Sequence, residues 1–134
     1  MRVWRRRRPA AIGTAVLVVA TGAVVAAQTV DDFDAWMRAI DDKNQSVQQQ
    51  IARKDADAVA ADARALQASF TQVEGFWAGR NDGQDAVTLS REARQRAEAI
   101  EKAAAARNFE AASSEAIKVA ETCTACHRLH RPLP

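Results

Sequence analysis

The residues best suited to chemistry lie close to the C-terminus, in the decapeptide ETCTACHRLH. It contains both cysteines and both histidines of the protein: Cys123, Cys126, His127 and His130. The cysteines enclose only two residues, and a disulfide that closes so short a loop restrains the unfolded chain very little. The pair therefore indicates chemistry rather than a structural cross-link.

Cys-x-x-Cys-His is the attachment signature of c-type haem. Two thiols three residues apart can add to two neighbouring vinyl groups on one porphyrin edge, and the next residue can turn its imidazole over the ring to the iron. We therefore predict thioether bonds from Cys123 and Cys126 to one haem c, with His127 as the proximal axial ligand of the iron.

Three other interpretations of the motif compete with haem attachment. A thioredoxin-like redox pair needs its first cysteine at a helix start, where the dipole lowers the thiol pKa, whereas these cysteines lie late in a helical pattern. A zinc site made of both cysteines and both histidines would require one short helical stretch to surround a tetrahedral ion. A chance match is the third. The helical context disfavours the first two, so haem attachment is the preferred prediction.

The second axial ligand has to come from another helix. His130 lies three residues after His127 on the same helix and cannot reach the opposite face of the ring, so we expect a partly exposed polar residue there. Met37 is the only methionine outside the first 27 residues. A thioether opposite a histidine is typical of electron-transfer haems with a raised potential. We predict that Met37 ligates the iron, with ordinary core packing as the alternative.

Basic side chains near the motif are candidates for contacts with the haem propionates. Arg131 follows His127 by one helical turn and can reach a propionate or cover it from solvent. Three further arginines belong to the same end of the predicted fold, and for them a solvated helix face is the preferred interpretation: Arg38, Arg91 and Arg94.

Four helical segments have to position these residues. Apolar residues recur at steps of three and four, and no strand-like alternation appears. Short connections between segments of similar length favour an up-down-up-down antiparallel four-helix bundle, an all-α fold that carries covalently bound haem c. The predicted helices cover residues 31–54, 55–79, 84–107 and 109–131. The core-facing stripe that we predict for the second helix is Val59, Ala63, Leu66, Phe70, Val73 and Trp77, and for the fourth helix it is Phe109, Ala112, Ala116, Ala120, Cys123 and His127. The cap residues that we predict are Asp55, Gly79 and Asn108.

This topology gathers large aromatic residues at the Cys-His end of the bundle. The start of the first helix lies level with the end of the fourth, and the second helix ends there too. The residues concerned are Phe33, Trp36, Phe76 and Trp77, of which we assign Trp36 and Trp77 to the haem site. Asn44 shares the stripe of Met37, but we expect it to lie too far along the helix to belong to the pocket.

The first 27 residues have the pattern of a cleaved secretory signal peptide. Five arginines precede an apolar stretch that ends in small residues. An uncleaved membrane anchor is the alternative, but the apolar stretch would barely span a bilayer. We therefore predict a periplasmic protein, with a mature domain over residues 28–134 that is not bound to the membrane.

Cleavage would reverse the charge of the chain. The segment contains five of the 19 Lys and Arg residues and none of the 17 Asp and Glu residues, which leaves 14 basic and 17 acidic side chains. No basic face remains for nucleic acid. The composition therefore excludes a nucleic-acid-binding protein.

These features resemble the class II c-type cytochromes, the group that includes cytochrome c-prime and cytochrome c-556. The resemblance covers residues 28–134 and rests on the bundle, on CTACHRLHR and on WMRAIDDKNQSVQQQIARKD, which is similar to the family's first helix. It implies a monohaem carrier of single electrons rather than an enzyme. Arg131 stands where the family often has a propionate-binding arginine, and Met37 matches the methionine ligand of the c-556 branch.

The resemblance also implies an alternative function. Cytochromes c-prime leave the sixth coordination position open and bind nitric oxide or carbon monoxide there. Phe33 stands where they often have an arginine, one turn before the sixth-site residue, which weakens this assignment. The family further implies redox-partner proteins, which the sequence does not identify, and a homodimer through the first two helices.

Overall fold

The computed structural model describes residues 28–130, so the predicted signal peptide and Arg131 lie outside the described residues. Within this range the chain forms four helices and no strand. They are α1 (Val30–Arg53), α2 (Ala56–Ala78), α3 (Gln84–Ala105) and α4 (Phe109–His130). The predicted all-α four-helix architecture is confirmed, and the described helix ends differ from the predicted ones by at most two residues.

Each helix packs against its neighbour along the chain, and α4 closes the bundle against α1. The α1–α4 contact is the sparsest of the four, and within residues 28–130 no Cα atoms of the diagonal pairs, α1 with α3 and α2 with α4, come within 8 Å of one another. The bundle is therefore a ring of four helices with one loosely closed seam.

Side-chain caps mark where three of the four described helices, α1, α2 and α4, begin. Thr29 and Asp32 form a capping box at α1: the Asp32 amide donates to Thr29 Oγ1 at 3.1 Å, and the Thr29 amide donates to Asp32 Oδ2 at 2.9 Å. Asp55 accepts a hydrogen bond from the Ala58 amide at 3.1 Å, as predicted for the start of α2. Asn108 caps α4 in the same way, through the Ala111 amide at 3.0 Å.

The bundle end away from the cysteines has a dense aliphatic core. At that end α2 buries the first half of its predicted stripe, Val59, Ala63 and Leu66. The second half of the stripe, Phe70, Val73 and Trp77, is buried as well but lies towards the cysteines. Val47 of α1 and Ile100 of α3 are fully buried as well. Burial of a Val, Leu or Ile side chain contributes about 1.5 to 3 kcal/mol, so this end holds the four helices together.

The buried face of α4 differs from the predicted stripe. We expected Cys123 and His127 to continue the core, but Val119 and Thr122 are buried instead, while Cys123 is only partly buried and His127 is exposed. The predicted residues, at steps of three and four, stay on one face of a helix that has 3.6 residues per turn. The buried residues instead step by three from Ala116 to Val119 and again to Thr122, so the buried face turns around the helix and leaves the motif on a neighbouring face.

Within residues 28–130, none of the helices combines the length and the apolar character that crossing a bilayer requires.

Candidate functional site

A cleft of about 640 Å³ opens along the loosely closed seam between α1 and α4. Its volume lies in the range of pockets that hold small molecules and cofactors, roughly 300 to 1,000 Å³. Large apolar side chains from α1, α2 and α3 form its inner wall, among them Phe33, Phe70, Val73 and Leu89. The cleft is therefore both roomy and largely apolar.

The two cysteines predicted to hold the haem and the two predicted axial ligands line this one cleft. Cys123, Cys126 and His127 reach it from α4, and Met37 reaches it from α1. Met37 is partly buried and packs against the hydrophobic core. Residues that are about ninety positions apart in the sequence are thus brought to one site by the antiparallel packing of the first and last helices.

Both cysteines are free, and their surroundings keep them protonated. Burial is the main cause that raises the pKa of the Cys123 thiol to about 11, and the neighbouring Cys126 adds to it. Burial also raises the pKa of Cys126, with a contribution from the charge of Asp85. Reactive redox cysteines have a lowered pKa. This environment argues against a thioredoxin-like pair and suits sulfurs that are held inside a pocket.

His130 occupies a more specific position than its sequence predicted. Its side chain is only 15% exposed. Its Nε2 atom lies 3.0 Å from both carboxylate oxygens of Asp85, in the first turn of α3. The hydrogen bond from His130 is the main cause that lowers the pKa of the Asp85 carboxyl group. Nothing in the sequence pattern singled out Asp85, because the two residues are 45 positions apart.

Trp77 lines the cleft and is held rigidly by its neighbours. Its ring packs edge-on against Phe33 and Phe76 and lies 4.6 Å, centroid to centroid, from the ring of His130. Gly83, which precedes α3, leaves the room that the indole needs, since a Cβ atom there would lie 2.6 Å from Trp77 Cε3. The predicted gathering of aromatic residues at this end is confirmed for these rings.

Trp36 is the predicted site residue that the structure does not bring to the cleft. It is partly buried against the core and is not among the cleft-lining residues. Consecutive residues of a helix point about 100° apart. The cleft-lining face of α1 extends from Met37 to Arg38, so Trp36, on the other side of Met37, lies outside this face.

Two further residues of α1 line the cleft. Asn44 was expected to lie outside the pocket; this was wrong, because the cleft extends along α1 beyond Met37 to reach it. Arg38 is exposed and lines the cleft. Arg91 and Arg94 do not line it, and both instead pair with Glu74 on the surface between α2 and α3, at 2.8 and 3.4 Å.

Two buried polar atoms in the walls of the cleft indicate which kind of ligand the cleft suits. Trp77 Nε1 and Asn44 Oδ1 are buried, and neither has a hydrogen-bond partner within residues 28–130. Buried polar atoms almost always have a partner. The cleft therefore suits an occupant that combines a large apolar body with polar groups, and a haem with its propionates has both.

The iron of a haem needs fewer ligands from the protein than a bare metal ion does. The porphyrin supplies the equatorial ligands, so the chain has to provide only one or two axial ones. In the described part of the chain, no three His, Cys, Asp or Glu side chains come together as ligands for a bare metal ion. His127 and Met37 are axial ligands of the types found in cytochromes c, and the residues present fit a haem.

Comparisons of the chain with protein-family models, with curated proteins and with solved structures give no match.

Proposed function

We propose that this chain is a periplasmic monohaem cytochrome c of class II that carries single electrons. The observation that carries the proposal is the shared cleft: Met37 of α1 lines it together with Cys123, Cys126 and His127 of α4. The signal-like N-terminal segment supports export. Export agrees with the Cys-x-x-Cys-His motif, because haem c is attached outside the cytoplasm. The chain is then an electron carrier and not an enzyme.

Each residue of the site has a defined task in this proposal. Cys123 and Cys126 would hold the haem through thioether bonds, and His127 and Met37 would ligate its iron. The haem supplies the one-electron chemistry when it is bound. The cleft has an apolar wall formed by Phe33, Phe70 and their neighbours. This wall would keep water away from the haem ring and would favour the less charged, reduced state.

The polar groups of the haem also find counterparts in the chain. Arg38 lines the cleft and is exposed, so its guanidinium group is available to a propionate at the mouth. A planar guanidinium group can bind a carboxylate through two parallel hydrogen bonds. Arg131, one turn after His127, is the second candidate for this task.

A second candidate function is a five-coordinate haem protein that binds nitric oxide or carbon monoxide. The observation that favours it is the packing of Met37, which is partly buried against the core and could therefore serve as a packing residue beside an open iron site. The two functions differ in one bond, from the Met37 sulfur to the iron.

Absorption spectra of the purified protein and of Met37→Leu distinguish the two functions. Leucine keeps the volume of the side chain and removes the sulfur. We expect a low-spin ferric spectrum with a weak far-red methionine–iron band for the natural protein. We expect a high-spin spectrum that changes with carbon monoxide for the variant.

Ile40→Leu is the matched control, because Ile40 lies on the same helix, also lines the cleft and carries no ligand atom. Its spectrum should equal that of the natural protein. A natural protein that is already high-spin and binds carbon monoxide would contradict ligation by Met37 and favour the second function.

A further inference from the structure

The side chain of His130 joins three helices at the mouth of the cleft. His130 belongs to α4, its Nε2 atom lies 3.0 Å from each carboxylate oxygen of Asp85 in α3, and its ring lies 4.6 Å from the ring of Trp77 in α2. We refer to Asp85, His130 and Trp77 as the His130 clamp.

The His130 clamp acts on the part of α4 that carries the motif. His130 follows Cys126 by four residues and His127 by three, and residues with these spacings are neighbours on a helix surface. All three line the same cleft. A contact that fixes His130 therefore fixes the rotation of the turn that presents Cys126 and His127.

The seam beside this turn is the most sparsely packed of the bundle, since α1 and α4 make the fewest contacts of the four neighbouring helix pairs. The terminal turns of helices open more readily than their centres. The contacts of His130 link this turn directly to α2 and α3.

The base of the clamp is tightly packed around Trp77. Trp77 is 4% exposed and is packed edge-on against Phe33 and Phe76. Gly83 fits against the indole so closely that a Cβ atom would overlap it. Asp85 lies two residues further on, in the first turn of α3. The ring and the carboxylate that hold His130 are thus fixed to one another through a short and tightly packed segment.

We infer that His130 is a positioning residue, which, held by Asp85 and Trp77, orients the last turn of α4 and with it the axial ligand His127. The inference rests on the proposed haem site. Axial histidines depend on surrounding groups for their orientation, and those groups tune the metal centre. Loosening the clamp should change iron coordination without removing the haem.

Substitutions at both partners test this inference in the haem-bearing, full-length protein. His130→Phe keeps a ring against Trp77 and loses the hydrogen bond to Asp85. His130→Gln keeps an amide donor for Asp85 and serves as the rescue variant. Asp85→Ala removes the acceptor. Asp82→Ala is the matched control, because Asp82 is an exposed aspartate three residues before Asp85.

Two readouts separate positioning from simple support. The first is amide hydrogen exchange over residues 124–130, which we expect to accelerate about tenfold or more in His130→Phe and Asp85→Ala because a hydrogen bond to a charged group is lost. The second is the absorption spectrum and the reduction potential. Both should move in the same two variants and return towards natural values in His130→Gln, while Asp82→Ala leaves them unchanged.

Each negative result has its own meaning. A natural protein without covalent haem overturns the proposed function and with it the positioning role. A second outcome is that all variants carry haem and that amide hydrogen exchange accelerates, while the absorption spectrum and the reduction potential stay constant. The clamp then only supports the helix, and the positioning role is overturned. Unchanged exchange in Asp85→Ala and His130→Phe overturns the clamp itself.

Discussion

The thiols show how the surroundings of a single residue limit its chemistry. A cysteine that exchanges disulfides needs a stable thiolate, whereas burial raises the pKa of Cys123 and Cys126. Their position inside a cleft, beside a histidine and opposite a methionine, is suited to permanent attachment of a group that fills the space. Burial thus disfavours disulfide exchange by these thiols and is compatible with covalent attachment of a haem.

The Cys123 thiol provides a pH test of its burial. Burial raises the pKa of this thiol from 9.0 to about 11, so the folded chain binds the proton more tightly than the unfolded chain does. The resulting stability is fully present below pH 9.0 and is lost as the pH rises through about 11. For the haem-free chain we expect the free energy of unfolding to fall by about 2 kcal/mol over this interval, measured by urea denaturation.

Cys123→Ala is the control for this experiment, because it lacks the titrating thiol and keeps the other ionisable groups. Its free energy of unfolding should fall by less over the same pH interval, and the difference between the two chains is the effect of Cys123. An equal fall in both chains would mean that the thiol is not buried.

The helices show which parts of the fold follow from local sequence. Apolar spacing and the caps at Asp55 and Asn108 depend on residues only three or four positions apart, and they predicted four helices with nearly correct ends. The rotation of α4 did not follow from its own sequence. Alanines occur on several of its faces, so only packing against the other helices decides that Val119 and Thr122 are buried.

Truncation of Val119 tests this rotation of α4. Val119 is fully buried, so Val119→Ala should lower the free energy of unfolding by about 2 kcal/mol through lost burial and a residual cavity. Ile117→Ala removes a larger side chain from the same helix, but Ile117 is 55% exposed, so the cost should stay within about 0.5 kcal/mol. Equal costs at the two positions in thermal or urea denaturation would contradict the observed buried face.

Contacts across the bundle were the least accessible to sequence reasoning. The site residues Cys123, Cys126 and His127 could be found because their chemistry is encoded in one short motif. The pairing of His130 with Asp85 and the fit of Gly83 against Trp77 depend on where helix ends meet in space. The prediction that Asn44 lies outside the pocket was wrong for the same reason. The length of the cleft depends on how far apart α1 and α4 lie, which the sequence of α1 alone does not determine.

At the scale of the whole molecule, the bundle is closed at one end and open at the other. Fully buried side chains such as Val47, Val59 and Ile100 close the end away from the motif. Towards the motif, the sparse contact between α1 and α4 leaves a cleft whose walls come from all four helices. A small domain of this kind gains stability from any group that binds the folded state alone, and a covalently attached group would fill the open end permanently.

The intact mass of the exported protein under denaturing conditions tests the central claim most directly. Thioether bonds survive unfolding, so we predict the mass of residues 28–134 plus one haem. The double substitution Cys123→Ala and Cys126→Ala should lose the mass of the haem. A natural protein with the mass of the polypeptide alone, and with two thiols that react once it is unfolded, would contradict the account.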